Sequence, residues 1–305
     1  MKNIGIVLVT YNRLEKLKIA LSCYEKQKTK IDTMIIVNNC STDGTFEFLE
    51  EYSKRKLKYK IVILNMPKNL GGAGGFFEGM KCAMKEDLEW VYISDDDAYP
   101  NDNTIYELEK IYSKLQNKDE IVALCSVVEN KNGLDYGHRL RIMKNLFFVK
   151  WKPVDRSEYN KDYFNVDILS YVGSLINVNA LYCAGLDRKD FFIYHDDQEH
   201  SLRLGKNGKI LTCTKSVIHH DTEVKKYKEL FWGNYYDTRN RLLMIKYNFP
   251  LRYFYIRYYL GYIRDCLLCK NKIKKEMLKV AYMDAKNNKL GLNSIYKPGW
   301  VAKNK

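Results

Sequence analysis

The sequence predicts an α/β fold, a mainly parallel sheet wound by helices on both faces, followed by a helical extension. Three observations lead to it. Short apolar runs alternate with helical patterns as far as Val128. Several of these runs are apolar at every position, as strands covered on both faces are. Beyond about Glu223 the pattern turns helical and dense in tyrosine and basic residues.

The elements follow in order. Ile4 to Thr10 is a continuous apolar run and reads as a buried strand. Asn12 is placed to cap a helix reaching about Lys28. Met34 to Val37 is a second strand. The Ser41-Thr42-Asp43-Gly44 break starts a helix over Thr45 to Lys56. Lys60 to Leu64 is a third strand. A glycine-rich stretch, Asn69 to Gly75, leads into a helix ending near Lys85. Trp90 to Ser94 is a fourth strand, closed by Asp95-Asp96-Asp97. A helix over Asn103 to Leu115 and a strand over Ile121 to Val128 complete the alternation. Gly133 to Lys150 reads as a hairpin or a loop. Tyr171 to Val178 and Lys209 to Thr212 read as strands, and Asp196 to Gly205 as a short helix. A boundary between residues 225 and 226 separates a domain over 1–225 from a helical, basic and aromatic region over 226–305.

The chain has 305 residues, 46% of them hydrophobic, which excludes wholesale disorder. Lysine and arginine number 51 against 37 acidic residues, a formal charge of +14. That excess favours an anionic partner without choosing between a nucleotide, a lipid surface and a nucleic acid. The apolar run at the N-terminus is too short for a signal peptide and no cleavage site follows it, so a cytoplasmic location with eight free cysteines is expected. Cys266 and Cys269 lack the second pair that a structural zinc site needs.

Four stretches carry the chemistry. Ligands of open α/β sheets bind beyond the carboxyl ends of the strands, where Asp95, Asp96 and Asp97 stand. Two carboxylates about 5 Å apart repel by roughly 3 kcal/mol at an effective dielectric near 20. A divalent cation offsets that repulsion and grips a diphosphate, and hard oxygen donors suit Mn²⁺ or Mg²⁺. A solvated acidic turn is the alternative. The glycines of Asn69-Leu70-Gly71-Gly72-Ala73-Gly74-Gly75 admit phosphate or sugar oxygens close to the backbone, ahead of a helix N-terminus. No Gly-Lys-Ser/Thr closes the stretch, so it is not a P-loop; a plain loop reads equally well. In His195-Asp196-Asp197-Gln198-Glu199-His200, a carboxylate could take a proton from an acceptor hydroxyl. Helix capping and a Glu199–Arg203 pair explain part of that pattern. His219 or His220, just after a strand, could complete a metal site or be structural.

Together these stretches resemble the family-2 glycosyltransferases with the GT-A fold, a Rossmann-like mixed sheet flanked by helices. Val9-Thr10-Tyr11-Asn12-Arg13 resembles the family's opening strand and nucleotide-binding turn. Val37-Asn38-Asn39-Cys40-Ser41-Thr42-Asp43-Gly44-Thr45 resembles its VDNGSTDGT segment, with Asn38 at the position whose acidic residue meets the base. The glycine run, the aspartate triplet and the HDDQEH segment are most similar to those of bacterial galactofuranosyltransferases. The resemblance implies that Thr10, Asn12, Arg13, Asn38, Asn69, Gly71, Gly72, Gly74, Gly75, Asp95 and Asp96 bind the donor. It implies metal ligands among Asp96, Asp97, His219 and His220, and Mn²⁺ or Mg²⁺ as cofactor. Asp197 matches the catalytic base, and Asp196, Glu199 and His200 the acceptor side. His195 and His200 stand where the pattern has tryptophan and tyrosine.

The implied reaction is an inverting hexosyl transfer, from UDP-galactofuranose or, alternatively, dTDP-rhamnose, to a saccharide or lipid-linked acceptor in cell-surface polysaccharide synthesis. A nucleotidyltransferase normally sets its glycine loop after the first strand, where VTYNR stands here. A basic nucleic-acid-binding protein needs neither the aspartate triplet nor HDDQEH, so no nucleic acid is expected. Phe249 to Leu268 is long and aromatic, but Arg252, Arg257, Arg264 and Asp265 each cost about 2.5–3.5 kcal/mol at a membrane centre. It reads as a helix lying against an anionic membrane surface from the cytoplasmic side, or packed on the catalytic domain or on a second copy of the chain.

Overall fold

The computed structural model describes residues 1–222 and 230–302, so the expected boundary at 225/226 lies outside the described residues. Strand β1 (Ile4–Thr10) is buried at every position, as is β2 (Thr33–Asn38). With β3 (Lys60–Asn65) and β4 (Trp90–Asp95) they form a parallel block in the order β4-β1-β2-β3. Parallel neighbours need crossovers, and α1 (Leu14–Glu25), α2 (Thr45–Ser53) and α3 (Gly71–Ala83) supply them. Side chains alternate across the sheet. Ile6, Leu8, Met34 and Ile36 pack with Leu17, Leu21 and Leu49 on one face. Val7, Val9, Ile35 and Val37 pack with Phe76 and Met80 of α3 on the other.

The rest of the chain makes the sheet mixed. In order come β5 (Ala98–Pro100), α4 (Thr104–Lys114), β6 (Ile121–Asn130), β7 (Gly133–Leu134), a hairpin of β8 (Arg139–Lys144) and β9 (Val149–Pro153), β10 (Tyr163–Val166), β11 (Ile168–Leu169), β12 (Ser174–Asn177), α5 (Val178–Ala184), α6 (Asp196–Leu204) and β13 (Lys209–His220). Strand β12 runs antiparallel between β4 and β6, giving the order β10-β13-β6-β12-β4-β1-β2-β3. Strands β11, β8 and β9 form a separate small sheet. Among the described residues three helices follow: α7 (Gly233–Asn248), α8 (Leu251–Tyr262), which runs on into a π-helical turn at Ile263–Leu267, and α9 (Lys272–Lys286). Leu242, Leu243 and Ile245 of α7 share one apolar cluster with Ala73, Val149 and Phe191. All eight cysteines are free.

Several local expectations change. Asn12 does not cap α1; with φ +52° it turns outward and its side chain accepts from the Thr42 amide at 2.7 Å. The first turn of α1 is capped instead from a distance, Asp43 accepting from the Leu14 amide at 2.9 Å. Val178 belongs to α5 rather than to the preceding strand, because Asn177 accepts from the Asn179 and Ala180 amides and starts the helix. Strand β13 runs on past Thr212 to His220, through an irregularity between Cys213 and Val217 where Thr214, Lys215 and Ser216 break the apolar pattern. The glycine run is not a loop ahead of a helix; Gly71 to Gly75 are the first residues of α3.

Gly71 shows why glycine is required there. Its φ is +74°, and a Cβ would stand 2.0 Å from the Phe192 carbonyl oxygen. Gly72 faces open space within 4 Å. Gly71→Ala should therefore lower stability by about 2 kcal/mol or more. Gly72→Ala should leave it within about 0.5 kcal/mol, both read by urea denaturation; equal stability of the two variants would contradict this packing.

Candidate active site

The parallel strands β1 and β4 end side by side, Val9 opposite Asp95. Beyond them the Thr10 hydroxyl donates to Asp96 at 2.7 Å. Arg13, in the turn leading to α1, reaches back with one nitrogen 2.6 Å from Asp97 and 3.2 Å from Asp96. Strand β5 then pairs with the end of β13, setting His220 opposite Ala98. This brings the His220 Nε2 to 3.3 Å from Asp97 Oδ1. One ligand atom each from Asp95, Asp97 and His220 lie within 4.8 Å of one another.

His219 does not join them. Successive strand residues face opposite ways, and His219 is half exposed with its Nδ1 3.4 Å from Glu129. Asp96, expected as a ligand, is occupied by Thr10 and Arg13. Asp95, expected only beside the donor, stands in the cluster instead.

The charges here are poorly matched. Burial, then the neighbouring Asp97, pushes Asp95 up to about 7. Burial pushes Asp96 up to about 6 despite Arg13 and Thr10. Asp97 is also penalised by burial, but His220, Arg13 and Lys16 hold it below the usual carboxylate range. His220, against the effect of burial, is raised by its bond to Asp97 and by Asp95. Among the described residues the Asp95 side chain makes no hydrogen bond or ion pair. Two carboxylates and an imidazole, one carboxylate without a partner, form a donor set suited to Mn²⁺ or Mg²⁺.

A cleft of about 290 Å³ opens at the strand ends and touches this cluster at Asp95, with Asp97 and His220 outside its lining. Val9, Thr10, Asp95 and Asp96 line it from the strand ends, and Asn69, Gly71 and Gly72 from the start of α3. Tyr11, Asn39, Ile193, Trp232 and Pro298 also face it and were not singled out in the sequence. Asn39, not Asn38, lines the cleft; Asn38 is buried behind it, bonded to Asn65 and to the Ser41 amide. Of the glycines only Gly71 and Gly72 reach the cleft. Gly75 lets α3 pack on β1, where a Cβ would meet Val9 at 2.6 Å, and a Cβ on Gly74 would meet Leu70. Asn12 is exposed and ties the turn after β1 to that after β2 rather than lining the cleft.

The start of α6 carries the second group. Phe192, Tyr194 and His195 all have positive φ, between 63° and 68°. Buried Asn240 of α7 holds this bend by donating to the carbonyls of Phe191, Ile193 and Tyr194. Arg239 beside it donates to Phe191 O at 3.0 Å. The bend delivers Asp196 and Asp197 to the first turn of α6. Asp197 keeps partial exposure and accepts from the Gln198 amide at 2.7 Å. Burial, then Asp196, and at longer range Asp95, push Asp197 well above the usual carboxylate range. Asp196 is also raised by burial. Asp187 is buried as well, accepting from the Arg188 amide at 2.8 Å while its Oδ2 has no hydrogen-bond partner, and burial, then Asp196, push it well above the usual carboxylate range.

Glu199 and His200 do not face an acceptor. Glu199 is fully buried, paired with Arg203 at 2.8 Å and Arg188 at 3.0 Å. His200 is fully buried between the Tyr171 hydroxyl and Gly185 O. Both project from α6 into the interior, so the acceptor reading of these two is replaced by a structural one. His195 bonds Gln198 and Asp237.

The sequence pattern of glycosyl transferase family 2 matches residues 5–185. Galactofuranosyltransferase GlfT1 of Mycolicibacterium smegmatis is 26% identical over 234 residues, 74% of either chain. A structure of GalNAc-T7 with UDP, GalNAc and Mn²⁺ superposes with a TM-score of 0.65 at 13% identity. The match covers 94% of this chain but 56% of that longer one. TarS of S. aureus in complex with UDP-GlcNAc gives a TM-score of 0.62 at 14% identity, over 93% and 81% of the two chains. The fold is that of the GT-A glycosyltransferases.

Binding of Mn²⁺, followed by calorimetry, should weaken at least tenfold in Asp95→Asn and in His220→Ala. His219→Ala should bind as the unchanged protein does; the reverse ranking of the two histidines would reject this ligand set.

Proposed function

This chain belongs to glycosyl transferase family 2, and we propose that it transfers galactofuranose from UDP-galactofuranose to a saccharide acceptor with inversion at the anomeric carbon. The observation that carries the reading is the arrangement of two groups. A carboxylate cluster closes β4 with Asp95 unpaired among the described residues, and a partly exposed carboxylate with raised proton affinity, Asp197, lies within its electrostatic reach. The choice of sugar is supported by similarity to GlfT1. We read residues 1–225 as the catalytic unit and 226–305 as its helical extension.

We assign the donor's pyrophosphate to the cleft at the strand ends, where Arg13 would take up negative charge. Asp95, Asp97 and His220 would hold Mn²⁺ or Mg²⁺, which when bound neutralises charge on the departing diphosphate. GalNAc-T7 is a GT-A neighbour solved with UDP and Mn²⁺. Thr10 and Arg13 fix Asp96, keeping its carboxylate oriented. Asp197 takes the proton from the acceptor hydroxyl as its oxygen bonds to the anomeric carbon. The bond from that carbon to the diphosphate breaks on the opposite face, and UDP leaves with the bonding electrons. The bend held by Asn240 and Arg239 sets the base in place before substrate arrives.

Among the described residues no helix is long and apolar enough to cross a membrane. Leu251, Tyr255, Tyr259, Ile263 and Leu267 are all exposed at four-residue spacing on α8 and the turn after it. This apolar stripe on a chain of charge +14 supports peripheral contact with an anionic membrane surface at the cytoplasmic face.

Asp197→Asn should reduce turnover by a factor on the order of 10³ while UDP binds within about twofold of the unchanged protein; near-normal turnover would reject the base. NMR of the product should show inversion and a galactofuranosyl residue, and a rhamnosyl product would overturn the donor.

The pH profile follows from the direction of the Asp197 shift. A base acts as the carboxylate, so activity falls as pH drops through its raised value. The acid limb of kcat/KM should therefore lie well above the ordinary carboxylate value of about 4. A limb at or below that value would contradict the environment assigned to Asp197.

A further inference from the structure

A second cleft, of about 190 Å³, opens between α7, the turn after α8, and α9. Four cationic side chains face it: Arg241 from α7, Arg257 from α8, Arg264 from the π-helical turn and Lys274 from α9. Two carboxylates share it, and both are engaged. Asp237 accepts from Arg241 at 3.0 Å and lies 2.9 Å from His195 Nε2. Asp265 accepts from Arg264 at 2.6 Å and from the Tyr282 hydroxyl at 2.9 Å. The side chains of Arg257 and Lys274 make no hydrogen bond or ion pair among the described residues. The Nε of Arg241 is shut off from solvent with no acceptor. Burial, with Arg241 and Arg264 close by, holds Arg257 below the ordinary guanidinium range.

Cations that outnumber the anions in a concave site are offset by a multivalent oxyanion, and guanidinium forks match phosphate oxygens in pairs. The location ties the cleft to the reaction. Asp237 forms its wall and holds His195, and His195 is two residues from Asp197, a span of at most about 7 Å. We propose that this cleft is a subsite for a phosphoryl or diphosphoryl group carried by the acceptor, which orients the attached sugar toward Asp197. The inference rests on the transferase reading only in assigning the bound group to the acceptor.

The full chain is titrated calorimetrically with inorganic pyrophosphate in EDTA, so that the strand-end cluster has no cation to recruit it. The unchanged protein and Asp95→Asn should bind alike, and Arg257→Gln/Lys274→Gln at least tenfold more weakly. Equal binding by the double variant, or loss in Asp95→Asn instead, would overturn the subsite. Lys274 is exposed at the start of α9, so Lys274→Gln alone decides the matter if the double variant does not fold. About a threefold loss is expected, and none would count against the proposal. UDP binding with Mn²⁺ is measured in parallel, since its loss in the unchanged protein bears on the transferase reading and not on this cleft. Competition by an isoprenyl diphosphate in detergent supports an acceptor. Competition by phosphatidylglycerol vesicles alone makes the site a headgroup contact and overturns the acceptor assignment.

Discussion

Three consecutive carboxylates are held at the end of β4 with too little positive charge around them. Arg13, Lys16 and His220 satisfy Asp96 and Asp97, and Asp95 is left with no bonding partner among the described residues. A fold would not gain stability from such a cluster, since burying an uncompensated charge is costly. On the reading proposed above, a divalent cation and a diphosphate arriving together would offset its cost, each supplying what the other lacks. The parallel block delivers this cluster, because β1 and β4 end at the same level, and the β5–β13 pairing delivers the imidazole.

Helix α7 does more than pack against α8 and α9. Arg239 and Asn240, both fully buried on α7, hold the carbonyls of a bend whose residues have positive φ. Conformations of that kind persist only where surrounding structure over-determines them. On the other side of the bend, the Ala73 amide donates to Phe192 O, and Gly71 allows that approach. The glycine run therefore joins the cleft at the strand ends to the segment that carries Asp197. Trp232 and Pro298 add walls to the same cleft, so the two regions of the chain share one site.

Much of this was legible in the residues. Continuous apolar runs marked β1, β2 and β4 because strands covered on both faces have no polar side to show. The aspartate triplet was visible as a strand end followed by charge. What escaped depended on side-chain direction or on distant partners. Choosing His220 over His219 required knowing which face of β13 turns inward, and the polar Thr214-Lys215-Ser216 step hid the strand's true length. Glu199 and His200 look available in sequence, yet Arg188, Arg203 and Tyr171 from other segments neutralise and enclose them. Asp187 had no local pattern to mark it, since its raised proton affinity comes from burial and from Asp196, nine residues away in the chain.

The central claim is that the cluster's missing charge is supplied by a cation shared with the donor's diphosphate. Coupling between two ligands is reciprocal, so UDP affinity measured with and without Mn²⁺ tests it directly. Tight UDP binding is expected with Mn²⁺, with a loss of at least tenfold in EDTA and no difference between the two conditions in Asp95→Asn. Equal UDP affinity in Mn²⁺ and in EDTA for the unchanged protein would contradict it.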